Sequence, residues 1–370
     1  MKNIYTIDDF TQITQDSLQQ NHITELSEIQ KKAIPFIVEG KDVLVHSPTG
    51  SGKTNVYLLP VIDKLEPQGN KKHFPKAIIL APTRELSMQI AERARNLLSN
   101  REGIRTTVLS GGMDIQKQIR MNAKGADIVI GTPARIADHL RRHTLKPNQL
   151  ETLIIDEADM MLSMGFLEDI KNVLSLLPAH QTILLSATFE EGIQEMRNDM
   201  MIDPVIVESD NKDFLKQDIL LEYMIVQGNK RIEPLVKILK QEHTDTIIFC
   251  NTRNTSDFVA DMLRKSGIET YAIHSEMDFG ERKRIMKDFR SHKLNVLVAT
   301  DVASRGIDIP AVGLVINFDY PDQTSYLKHR IGRTARASRK GKAITMLKEN
   351  QKNKIQEIQN IMGIRPKRRG

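Results

Sequence analysis

Of 370 residues only Cys250 is a cysteine, none is tryptophan, and aromatics make up 5%. A single thiol cannot form an intramolecular disulfide, which fits a reducing compartment and predicts a cytoplasmic protein. No stretch approaches the ~18 uninterrupted apolar residues of a membrane span. The opening residues, Met1-Lys2-Asn3-Ile4-Tyr5-Thr6-Ile7-Asp8-Asp9, lack the apolar core of an export signal, so neither membrane insertion nor secretion is expected. No low-complexity tract and no exact repeat is present. Neither sign of charge dominates: 53 Lys and Arg against 47 Asp and Glu leave a net +6, a mild lean toward polyanions.

Hydrophobic residues at 40% and charged residues at 27% describe a globular chain, and its length suits two domains better than one core. Short β-branched or Leu-rich runs recur, each followed by a helical stretch: 42–46, 77–81, 127–130, 153–156 and 182–186, then 219–226, 246–250, 270–273, 295–299 and 312–318. Continuous apolar strands alternating with helices predict α/β units with parallel sheets covered on both faces. The polar stretch Glu208-Ser209-Asp210-Asn211-Lys212-Asp213 reads as a hinge. The predicted division is a domain over 1–208, a linker over 209–217, a second domain over 218–362 and a short basic tail over 363–370, of which 365–370 reads as a disordered extension.

The run 42–46 leads into Ser47-Pro48-Thr49-Gly50-Ser51-Gly52-Lys53-Thr54 and then an apolar helix. Glycines let backbone N–H groups turn inward around a phosphate, and the helix N-terminus adds its positive dipole end. Lys53 supplies a cation for the β and γ phosphates and the Thr54 hydroxyl a ligand for Mg²⁺. A Gly/Ser/Thr-rich surface loop is the bland alternative; the strand before and the helix after disfavour it. The second chemical signal is Leu153-Ile154-Ile155-Asp156-Glu157-Ala158-Asp159, an apolar strand ending in acids. A carboxylate at the end of a strand next to the phosphate-loop strand is placed to hold Mg²⁺, the role expected of Asp156. Glu157 then orients or deprotonates an attacking water, and Asp159 is expected to bond another motif. An acidic helix start is the alternative reading of the same residues.

Asp156-Glu157-Ala158-Asp159 resembles the signature of the DEAD-box helicases, and further segments match that family in order. They are Pro82-Thr83-Arg84-Glu85-Leu86, Gly111-Gly112, Thr132-Pro133-Ala134-Arg135, Ser186-Ala187-Thr188, Ile247-Ile248-Phe249-Cys250-Asn251-Thr252-Arg253, 299–308 and His329-Arg330-Ile331-Gly332-Arg333-Thr334-Ala335-Arg336. The match runs from about residue 5 to 345. Departures are Ser47, Ala134 and Ala335 in place of glycine, Ile23 in place of a stacking aromatic, and Ser275, Phe279 and Ser338 in the second half.

The resemblance implies two tandem RecA-like domains, each a mostly parallel sheet flanked by helices, joined by a short hinge. It implies an ATP- and Mg²⁺-dependent enzyme that hydrolyses ATP to unwind or remodel RNA. Tyr5, Ile23 and Gln30 are then placed for adenine, and Thr49, Gly50, Ser51, Gly52, Lys53 and Thr54 for phosphate. Asp308 is assigned to the ribose, Arg333 and Arg336 to the γ-phosphate as arginine fingers. Asp159, Ser186, Thr188 and His329 couple the domains. RNA contacts fall to Pro82, Thr83, Arg84, Gly112, Thr132 and Arg135, and to Arg253, Arg282 and Thr300. Such side chains suit phosphate and sugar contacts, and the scarcity of aromatics predicts little sequence preference. One chain supplies both domains, so a monomer is expected. A DNA translocase, an ATP-gated RNA clamp and an inactive scaffold are the rival readings. A GTPase is disfavoured because no Asn-Lys-X-Asp string is present.

Overall fold

Strands form where β-branched and leucine runs can be buried on both sides, and the computed structural model shows this twice. It describes residues 4–47, 51–67, 73–209, 219–227, 230–301, 310–334 and 341–369. The chain divides into unit 1, residues 1–210, and unit 2, residues 211–370, a boundary inside the stretch read as a linker.

Unit 1 holds β1 (Val43–His46), β2 (Ala77–Leu80), β3 (Thr106–Leu109), β4 (Ile128–Gly131), β5 (Thr152–Ile155), β6 (Gln181–Ser186) and β7 (Val205–Glu208). They lie in the order β3-β4-β2-β5-β6-β1-β7, every pair parallel. Alternation sends Val43, Ile79, Ile154 and Ile183 into one core with the helices Glu28–Val38, Lys53–Lys64 and Arg84–Leu97. Leu44, Ile78, Leu153 and Leu184 enter another with the helices Pro133–Arg141, Leu167–Leu174 and Glu191–Met200.

Unit 2 holds β8 (Ile219–Val226), β9 (Thr246–Cys250), β10 (Thr270–Ile273), β11 (Val296–Thr300), β12 (Leu314–Asn317), β13 (Gly341–Lys348) and β14 (Lys367–Arg368). Their order, β10-β11-β9-β12-β13-β8-β14, is again parallel throughout. Adding seven to each strand number of the first sheet gives the second, so both units have one topology.

Two expectations are corrected. Residues 365–370 are not, as a whole, a disordered extension: Lys367 and Arg368 pair with Glu222 and Tyr223 of β8, the place β7 takes beside β1. Arg369 N donates to Tyr223 O at 2.8 Å, and its guanidinium bridges Glu222 at 2.8 Å and Glu242 at 3.1 Å. Arg369→Ala strips both carboxylates of that partner and should cost unit 2 about 1–2 kcal/mol, read from its urea denaturation midpoint. An unmoved midpoint would show the Arg369 ion pairs to be idle. Second, the strand bearing Asp156 does not adjoin the phosphate-loop strand. β6 lies between β5 and β1, so a third loop enters the site from the middle.

Candidate active site

The ends of β5, β6 and β1 lie side by side, so the loops leaving them meet where side chains from all three can act together. Gly52, at φ 83°, precedes the helix Lys53–Lys64, and a Cβ added there would lie 2.7 Å from Gln30 Nε2. The left-handed backbone favours glycine, and any side chain there would push the Gln30 amide aside. Gln30 Nε2 donates to Gly52 O at 3.0 Å, and Ser27 N donates to Gln30 Oε1 at 2.9 Å, closing a capping box on the helix Glu28–Val38. Gln30 therefore braces the loop, and its amide keeps one N–H and one lone pair for a ligand. Tyr5 N donates to the carbonyl of Lys31, next to Gln30, at 3.3 Å, while its ring meets Phe10 edge-on. Ile23 packs on the core. Ser47 Oγ donates to Ser51 Oγ at 2.7 Å, and Ser27 Oγ to Ser51 O at 3.2 Å. Thr49 and Gly50 lie outside the described residues.

Lys53 opens that helix with its side chain 6% exposed, and Nζ finds no hydrogen-bond acceptor among the described residues. The nearest counter-charge is Glu157 Oε1 at 3.9 Å. Glu157 itself sits at φ 54°, ψ 50°, a left-handed conformation that costs a residue with a side chain about 1–3 kcal/mol. Asp156 is buried, and Tyr57 Oη donates to its Oδ2 at 2.7 Å. Burial first, then the charge of Glu157, push the Asp156 carboxyl up to about 6, against the pull of Lys53 and Tyr57. Asp159 Oδ2 accepts from Ala187 N at 3.2 Å, which ties the acidic segment to the Ser186-Ala187-Thr188 turn at the end of β6. Within that turn Thr188 N donates to Ser186 Oγ at 3.2 Å, and Ser47 N donates to Ser186 O at 3.1 Å.

A carboxyl raised above its unfolded value near 4 stabilises the fold only while protonated. In the nucleotide-free protein that stability, present below about pH 4, is lost as pH rises through about 6. Asp156→Asn should flatten this part of the melting-temperature profile between those values; a profile that keeps its slope would place the titration elsewhere.

The ends of β2, β4 and β3 adjoin this cluster and carry the other sequence candidates of unit 1. Pro82 is buried, and Thr83 caps the helix Arg84–Leu97, its Oγ1 accepting from Leu86 N at 3.2 Å. Gly112, at φ 77°, comes so near Arg84 that an added Cβ would lie 3.6 Å from Nη1. Gly111 N donates to Thr132 Oγ1 at 3.4 Å. Arg135 Nη1 donates to Met113 O at 2.9 Å and Gln118 Oε1 at 3.1 Å, so it also supports the glycine loop.

In unit 2 the ends of β9, β11 and β12 converge on Arg330, 1% exposed. Its guanidinium reaches Asp301 through Nε at 2.7 Å and Nη2 at 2.5 Å, Asn251 Oδ1 at 2.9 Å and Asp319 O at 2.6 Å. Arg253 forms an exposed ion pair with Glu276, the weak kind that a phosphate can displace. Thr300 ends β11 and is buried; Arg282 lies half-buried in the first turn of the helix Phe279–Arg290. His329 is buried beside Arg330, and the half-buried Arg333 accepts from Val312 N through its carbonyl at 3.0 Å. Asp308 and Arg336 lie outside the described residues.

Two family models cover this chain: "DEAD/DEAH box helicase" over residues 27–196 and "Helicase conserved C-terminal domain" over residues 230–338. The chain is 37% identical over 341 residues to the ATP-dependent RNA helicase DeaD of Buchnera aphidicola, 91% of this chain and 56% of that protein. The chain belongs to the DEAD-box helicases. Its fold resembles yeast Dbp5 bound to RNA and ADP BeF3, with a TM-score of 0.85 and 27% identity over 98% of this chain and 94% of that one. A DEAD box protein from Methanococcus jannaschii matches at 32% identity with a TM-score of 0.56, covering 99% of this chain and 100% of that one. The chain thus spans little more than half the length of its curated relative DeaD.

As a DEAD-box chain it has the groups a nucleotide needs. A buried ammonium with no hydrogen-bond acceptor among the described residues, beside two carboxylates, is a poor arrangement alone and a good one around a bound polyphosphate and a divalent cation. Among the described residues no three His, Cys, Asp or Glu side chains form a metal cluster. The donor set, Thr54 and Asp156, suits Mg²⁺, which keeps waters and takes ligands from phosphate. Sequence reading missed two residues here. Tyr57, inside an apolar helix, reads as core until its hydroxyl is seen on Asp156, and Arg330 was passed over for its neighbours in the same motif.

Proposed function

We propose that this chain is an ATP-dependent RNA helicase, which hydrolyses ATP to bind and locally unwind or remodel RNA with little sequence preference. The observation that carries the reading is Lys53: a buried cation with no hydrogen-bond acceptor among the described residues, at a helix start, across from Glu157. Phosphate oxygens of ATP satisfy that ammonium and the N–H groups around it. Thr54 and Asp156 would hold Mg²⁺, which would supply positive charge to the β and γ phosphates. Glu157 orients the attacking water and takes its proton. Gln30, with Tyr5 and Ile23, holds the adenine, Thr49 to Gly52 the phosphates and Asp308 the ribose.

Arg333 and Arg336 of unit 2 complete the site by meeting the γ-phosphate, so turnover needs both units at one nucleotide. Thr83, Arg84, Gly112, Thr132 and Arg135, with Arg253, Arg282 and Thr300, contact the sugar–phosphate backbone and leave bases unread. The bond from Asp159 to Ala187 links the catalytic acids to the Ser186–Thr188 turn, the path by which the nucleotide state reaches the RNA side. The protein acts as a cytoplasmic monomer; no helix among the described residues is long and apolar enough to cross a membrane. Phosphate release measured with matched RNA and DNA oligomers tests the reading. RNA is expected to stimulate more strongly; stronger stimulation by DNA would overturn it.

A further inference from the structure

The Tyr57 hydroxyl lies in a buried place that core packing does not explain. Tyr57 is fully buried and its hydroxyl donates to Asp156 Oδ2 at 2.7 Å. Thr54 and Tyr57 stand three residues apart on the helix Lys53–Lys64, one turn above the other. The phenol thus touches one of the two residues assigned to the Mg²⁺ site and shares a helix face with the other.

We infer that Tyr57 is a positioning residue for the cation: it orders a chain of hydroxyls that aims Thr54 and Asp156 at the metal. Valence fixes the direction of the chain. An ionised carboxylate only accepts, so the phenol proton goes to Asp156. With that proton committed, the phenol oxygen can only accept from Thr54, whose own hydroxyl proton is then directed inward. The lone pairs of Thr54 are left facing the phosphate side. The second carboxylate oxygen of Asp156 is left for a metal-bound water. Without the phenol the Thr54 hydroxyl is free to turn, and Asp156 loses the contact that sets its rotamer. Partners of this kind, one step behind the metal ligands, typically change metal affinity by about 10–100-fold when removed.

The assignment rests on the nucleotide-site reading above, and the test keeps the two apart. Mg²⁺ is titrated against a fluorescent ADP analogue, without turnover, for the wild-type protein and Tyr57→Phe. The variant keeps the ring and its packing and lacks only the hydroxyl. It should need about tenfold more Mg²⁺ for half-maximal tightening of ADP binding, with ADP affinity in EDTA unchanged. A purely structural role would lower the thermal midpoint, recorded in parallel, without moving the Mg²⁺ half-point. An unmoved half-point in a folded variant, with normal wild-type binding, overturns this assignment alone. Wild-type protein that binds no ADP would sink the nucleotide reading and the assignment together. A second measurement does not depend on the variant folding. By NMR of ring-labelled wild-type protein, the Tyr57 hydroxyl proton should exchange slowly with water, and rapid exchange would overturn the hydroxyl chain.

Discussion

Glu157→Gln should lower ATP turnover by about 10²–10⁴ while ATP-dependent retention of RNA persists. The substitution keeps the size and hydrogen-bonding reach of the side chain and removes its basicity. Little else should change, because the strained left-handed backbone at Glu157 belongs to the turn rather than to the carboxylate. Removing its charge also relieves the raised Asp156 carboxyl, since Glu157 is the second cause of that shift after burial. Steady-state phosphate release and RNA retention on a filter, measured on the same preparation, separate the two effects. Turnover within a few-fold of wild type would remove Glu157 from the chemistry.

Arg333→Ala should reduce RNA-stimulated turnover by about 10³ or more, the scale of a lost arginine finger. Arg333→Lys should restore little of it, because an ammonium cannot match the planar fork that spans two phosphate oxygens. The contrast with Arg330 is part of the prediction. Arg330 is buried and bonded to Asn251, Asp301 and Asp319, so its loss should lower the stability of unit 2 before it lowers turnover. Single-turnover hydrolysis with saturating RNA, beside a denaturation curve, distinguishes the two arginines. Equal loss of stability for both would contradict the division of roles.

The chemistry was more legible in the sequence than its support was. Lys53, Asp156 and Glu157 announce themselves because phosphate loops and terminal carboxylates need those residue types next to a strand. Their strands, 43–46 and 152–155, carry the buried apolar runs Val43-Leu44-Val45 and Leu153-Ile154-Ile155. β3 had no such signal: Thr106 to Val108 are only partly buried at the sheet edge, so no apolar run marks them. β14 is Lys367-Arg368, held by backbone pairing with a strand formed far earlier in the chain, and composition says nothing of that.

Side-chain partners distant in sequence were equally hidden. Tyr57 meets Asp156 across 99 residues, and Arg330 meets Asn251 across 79. Gln30 was placed for adenine by resemblance, but its bonds to Ser27 and Gly52 brace the phosphate loop, a task visible only once the helix cap and the loop are seen together. The insertion of β6 between β5 and β1 follows from the strand permutation, which no local pattern encodes.

In the proposed function one triphosphate is held by Lys53 of unit 1 and Arg333 of unit 2 when RNA is bound. A crystal structure of the chain with a non-hydrolysable ATP analogue and single-stranded RNA measures this most directly. The expected result is the Lys53 ammonium on the β and γ phosphate oxygens and the Arg333 guanidinium within hydrogen-bonding distance of the γ-phosphate. Arg333 turned away into solvent, with nucleotide and RNA both in place, would contradict it.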